Sequence, residues 1–191
     1  MEKSQTQKLA KVLQVLVTVT FVCNLLALPL VPGVVGMGTE YGLKGAVEEF
    51  AMFGPDFGPL VFLAVCWQYL FRVWREPYAA VLTLFLLACG TCTAVILWQA
   101  RRVLGTILRG EPFAPENAVS LGRAAVSCFL IAGAALARVL FSVCYYQSPR
   151  PLATYNALFV PMFAMGGLLC LVMSALFRQA AEMKAENDLT I

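Results

Sequence analysis

The amino-acid sequence predicts an all-α integral membrane protein: a four-helix bundle, both termini cytoplasmic, with an additional interfacial or re-entrant helix on the outer side. Three observations lead there. Of the 191 residues, 60% are hydrophobic and only 13% charged, a balance outside that of soluble domains. The apolar residues fall into four runs long enough for a hydrocarbon core of about 30 Å, which takes roughly 20 helical residues. The runs are continuous, whereas the strands of an outer-membrane barrel alternate, so helices are what satisfies every backbone group in lipid.

The chain reads as a single membrane domain over residues 1–191. A short N-terminus carrying Lys3, Lys8 and Lys11 leads into the first span, at about 12–32. That run is longer than a signal-peptide core and no A-x-A site follows it, so an uncleaved span is expected. An outer segment, 33–78, precedes the second span at about 79–100. An inner loop, 101–123, leads to the third span at about 124–147. The outer turn "QSPRP" follows, then the fourth span at about 151–177 and a polar inner tail, 178–191.

Charge decides against a fifth span at "FGPLVFLAVCWQYLFRVW", residues 57–74. With four spans, Lys3, Lys8, Lys11, Arg101, Arg102, Arg109, Arg123, Arg178 and Lys184 collect on the inner side against Lys44, Arg72, Arg75 and Arg150 outside. That asymmetry suits a cytoplasmic face, and a fifth span would abolish it. Residues 57–74 then form the interfacial or re-entrant helix, with Gln68, Arg72 and Arg75 as a narrow polar stripe and Trp67, Tyr69 and Trp74 suited to headgroups. A net charge of +3 without a continuous basic stripe argues against direct contact with nucleic acid.

Little in the spans supports catalysis. Histidine is absent and no span contains a carboxylate, which removes the commonest general base and any metal cage or proton relay. No catalytic residue, metal or cofactor is expected. "CGTC" makes Cys89 and Cys92 a C-x-x-C redox pair by spacing, but mid-span burial disfavours a thiolate. The surrounding small residues suit helix packing instead. Gly90 with Ala94, Gly133 with Ala137, and Gly166 with Cys170 and Ser174 recur four apart, as grooves for the bundle or for a homo-oligomer. Arg138 is the one charge inside a span. It either snorkels to headgroups or pairs with an outer carboxylate, Glu40, Glu48, Glu49 or Asp56.

The stretch "LRGEPFAPENAVSLGR", residues 108–123, interrupts this apolar chain. Span two can continue as a helix through "VLGTIL" and close at Gly110, with Pro112 blocking continuation. Pro115 suits a first helical position, and Glu116 suits the positive end of the next helix's dipole. Phe113 either staples the turn or faces the membrane surface. Asn117 either satisfies local backbone groups or holds the tail. The tail itself, "FRQAAEMKAENDLTI", continues span four as a polar helix to about Asn187.

"GEPFAPEN" and the terminal "AENDLTI" resemble a bacterial family of four-span membrane proteins known as domain of unknown function 2975. Its pattern is matched at Glu111, Pro112, Phe113, Glu116 and Asn117, and again from Glu186 to Ile191. The resemblance implies a bacterial inner-membrane protein and a small helix-turn-helix regulator as partner, since such regulators often neighbour the family's genes. It implies no activity.

The leading expectation is therefore a non-enzymatic, multi-pass inner-membrane protein. Its cytoplasmic loop and tail bind or restrain a cytosolic partner through Glu111, Phe113, Glu116, Asn117, Glu186, Asn187, Asp188 and Ile191. The alternatives are a small-molecule carrier or immunity-type protein with a cavity around Arg138, and a membrane thiol oxidoreductase using Cys89 and Cys92.

Overall fold

The computed structural model describes residues 5–38, 67–71 and 73–188. No strand occurs among them. Four long helices dominate: α1 (Gln5–Ala27), α2 (Pro77–Leu108), α3 (Pro115–Tyr146) and α4 (Tyr155–Asp188). The segments long and apolar enough to cross a membrane are Gln7–Gly38, Pro77–Leu108, Pro115–Tyr146 and Tyr155–Asn187. The chain is a multi-pass, all-helical membrane protein.

Two boundaries differ from the sequence reading. The first helical run does not stop at Pro32. It tightens into a 3-10 turn at Leu28–Leu30, where the Val31 N–H bonds the Leu28 carbonyl, and residues 31–38 continue as helix. The tighter turn accommodates Pro29, whose ring and missing N–H an α-helix interior tolerates poorly. The connection between α3 and α4 is also longer than "QSPRP". Gln147 adopts φ 48°, a 3-10 helix covers Arg150–Ala153, and Thr154 is extended with its hydroxyl donating to the Pro151 carbonyl at 2.6 Å. Pro151 and Leu152 thus belong to the connection and α4 begins at Tyr155.

By compactness the chain divides into Leu25–Gly90 and a second unit made of Met1–Asn24 with Thr91–Ile191. In the first, Val35, Val73 and Ala79 form a small core flanked by Val31, Leu82 and Leu86. Gly36 permits the approach, since a Cβ there would lie 3.0 Å from both Tyr69 Cβ and Val73 Cγ2. Tyr69 is accordingly buried and not at a headgroup surface, while Trp67 and Phe71 are exposed and meet edge-on at 6.3 Å. Of the expected polar stripe, Gln68 and Arg75 are exposed. Residues 57–66 and Arg72 lie outside the described residues.

In the second unit α3 is the central element: 44% of its most apolar stretch is buried, against 6% for α4. Its buried face is made almost wholly of small side chains, including Ala118, Ser120, Ala124, Ala125, Ala132 and Ala135. Small faces let helix backbones approach where lipid supplies no hydrophobic drive for association. α4 exploits this. Ser174 Oγ donates to the Ala118 carbonyl at 2.7 Å, and a Cβ on Gly167 would sit 3.0 Å from the Phe129 ring. The contact glycines are thus Gly122 and Gly167. Gly133 and Ala137 face outward, and no described atom lies within 4 Å of a Cβ built on Gly133 or Gly166.

The outward surface fits lipid. α4 exposes Leu158, Met162, Met165, Leu168, Leu169 and Val172. At about 1.5–3 kcal/mol per side chain, leaving that ladder in water would forgo on the order of 10 kcal/mol, comparable to the whole stability of a typical domain.

Candidate functional site

The interrupting stretch folds as a compact knot between α2 and α3. At the end of α2 the Glu111 N–H bonds the Thr106 carbonyl at 3.0 Å and the Gly110 N–H bonds the Ile107 carbonyl at 3.1 Å. This is the Schellman pattern, and it requires the left-handed residue that Gly110 supplies at φ 85°. α3 starts at Pro115, as expected, behind an extended Ala114 that offers no side-chain cap.

Asn117 braces the turn from inside the first turn of α3. It is 1% exposed. Its Nδ2 donates to the Pro112 carbonyl at 2.9 Å, so its Oδ1 faces the Thr106 hydroxyl, also at 2.9 Å. The same hydroxyl lies 2.7 Å from the Val103 carbonyl and has one proton for the two acceptors. Of the two roles the sequence left open, Asn117 fills the first, satisfying the local backbone at Pro112. Phe113 is half-exposed, and its ring lies 6.4 Å from that of Phe177 on α4, tilted by 43°. The loop is thus attached to the last helix.

Beside the knot is a cleft of about 320 Å³ lined by Arg101, Arg102, Thr106, Arg109, Glu116 and Asn117, with Gly105 and Ser120. Arg102 and Thr106 lie four apart on one face of α2, and Arg109 follows three residues on, just past its end. Glu116 reaches Arg102 at 3.8 Å, an ion pair longer than a hydrogen bond with both side chains substantially exposed. Arg101 is held over two rings, 5.8 Å from the centre of Phe21 and 5.7 Å from that of Trp98.

The structure brings Glu111, Phe113, Glu116 and Asn117 together at the turn. Glu186 and Asn187 are exposed near the end of α4, more than two turns beyond Phe177. α4 ends at Asp188, and Ile191 lies outside the described residues. Arg178 and Glu182 form an i,i+4 pair at 3.0 Å. Arg138 donates to Asn156 Oδ1 of α4 at 3.4 Å; the carboxylates expected to pair with it, Glu40, Glu48, Glu49 and Asp56, lie outside the described residues. Cys89 and Cys92 are thiols one turn apart on α2. The sequence reading passed over Arg102, Arg109 and Thr106 as site residues. Their helical spacing was the available signal.

Residues 59–191 match a family described as a protein of unknown function, DUF2975. The chain belongs to this family. The DUF2975 region contains α2, α3 and α4 whole, so the knot, the cleft and the Phe113–Phe177 contact all fall inside it, whereas α1 precedes it. No curated protein and no solved structure matches the chain.

Proposed function

We infer that the protein is a non-catalytic bacterial inner-membrane protein, one membrane domain with both termini cytoplasmic, whose α2–α3 loop and tail dock a cytosolic protein. The family resemblance suggests a helix-turn-helix regulator. The observation that carries this reading is the contact of Phe113 with Phe177. It holds the loop beside the last helix, and a face whose two parts are already in contact binds a partner at lower entropic cost than two loose segments. The distribution of basic residues supports a cytoplasmic location for that face. Beyond Phe177, α4 continues with exposed polar residues, among them Glu182, Glu186 and Asn187, which suits a protein partner better than lipid.

The test is affinity purification of the tagged protein from native membranes with and without residues 185–191, and with Phe113→Ala. Loss of the same DNA-binding protein from both variants is the expected result. An identical set of copurifying proteins in all three preparations would rule the docking role out.

A further inference from the structure

The cleft between α2 and α3 has a charge and a position that partner docking does not use. Three arginines, Arg101, Arg102 and Arg109, line it against one acidic residue, Glu116; the Arg101 guanidinium also rests over Phe21 and Trp98, which leaves Arg102 and Arg109 as the principal donors. We propose that it binds a phosphate-bearing group.

Geometry argues for phosphate over a carboxylate. A carboxylate offers two oxygens and a single charge, whereas a phosphate offers three or more oxygens and up to two charges and so rewards several arginines more fully. The volume, about 320 Å³, equals roughly ten waters at about 30 Å³ each, enough for a phosphate with part of the alcohol it esterifies. Glu116 does not block the site. Its contact with Arg102 is 3.8 Å and both groups are exposed, and such pairs hold weakly, so an incoming dianion displaces the carboxylate toward solvent.

Depth brings lipid into consideration. Ser174 of α4 bonds Ala118, and Phe177 meets Phe113, so the stretch of α4 from 174 to 177 lies level with the start of α3. There α4 is still apolar and exposes Val172 and Leu176. α2 carries no charge from Pro77 to Ala100, a rise of about 36 Å, and its first arginines follow immediately. The cleft therefore lies at the level of the headgroups, within reach of both a phospholipid phosphate and a soluble phosphate compound.

The experiment uses the full-length protein. Pyrophosphate is titrated in detergent with thermal unfolding as readout, and lipid retention is measured by native mass spectrometry after reconstitution into nanodiscs of phosphatidylcholine with or without phosphatidylglycerol. The Arg102→Gln/Arg109→Gln variant is expected to weaken binding by roughly tenfold or more. Arg123→Gln, an exposed arginine of α3 outside the cleft, should leave binding unchanged, and Glu116→Gln should keep or strengthen it. Phosphatidylglycerol alone binding assigns a lipid headgroup, pyrophosphate alone a soluble phosphate compound, and mutual competition the phosphate itself. Binding of neither probe, equal loss in Arg123→Gln, or weakening by Glu116→Gln would overturn the proposal. That last variant keeps the test decisive if the double arginine variant does not fold.

Discussion

Asn117 donates its side-chain amide to the Pro112 carbonyl at 2.9 Å and presents its oxygen to the Thr106 hydroxyl at the same distance. One buried residue thus ties the end of α2, the turn and the start of α3 together. The arginine cleft and the Phe113–Phe177 contact depend on that turn holding its shape.

Replacing Asn117 by Ala should therefore lower stability by about 1–3 kcal/mol, because the Pro112 carbonyl loses its donor while the Thr106 hydroxyl keeps the Val103 carbonyl as acceptor. Asn117→Asp should not restore it, since a carboxylate cannot donate to Pro112. Thermal unfolding in detergent measures both, and an Asp variant as stable as the natural protein would show that the amide proton is unimportant.

Gly110 closes α2 at φ 85°. Gly110→Ala is expected to cost about 1–2 kcal/mol, the penalty for a Cβ in the left-handed region. Asn tolerates that region better and should cost less. Equal unfolding midpoints for the three residues would contradict the geometry.

The Phe113–Phe177 contact predicts coupling. Phe113→Ala and Phe177→Ala should be non-additive by about 0.5–1.5 kcal/mol in a double-mutant cycle, the usual size for an aromatic pair. Hydrogen exchange should rise at residues 110–114 in either single variant. Additive effects would mean that the loop is not attached to α4.

Two glycines should respond with opposite signs. Gly167→Ala drives a Cβ to 3.0 Å from the outer edge of the Phe129 ring, which must give way, and overpacking of this kind costs about 1–3 kcal/mol. Gly133→Ala meets no described atom within 4 Å and should be neutral or stabilising by up to about 1 kcal/mol through helix propensity. Comparing the two unfolding temperatures checks which stripe packs.

Sequence alone determined what depends on local chemistry. Long apolar runs dictated helices and their number, Gly110 marked the end of α2, and Pro115 the start of α3, because hydrophobicity, a missing Cβ and a missing N–H act on the chain wherever it lies. Tertiary structure decided which face each helix turns inward. In water a hydrophobic stripe announces that face, but lipid is as apolar as the interior, so shape and hydrogen bonds choose it. That is why, of the glycines singled out by spacing, Gly90 packs while Gly133 and Gly166 do not, why Gly122 and Gly167 pack without that signal, and why Asn117, open to two roles in the sequence, serves the turn. It is also why Arg102, Arg109 and Glu116, read separately as flank charges and a helix start, come together only when the turn sets the start of α3 against the end of α2 to form the cleft.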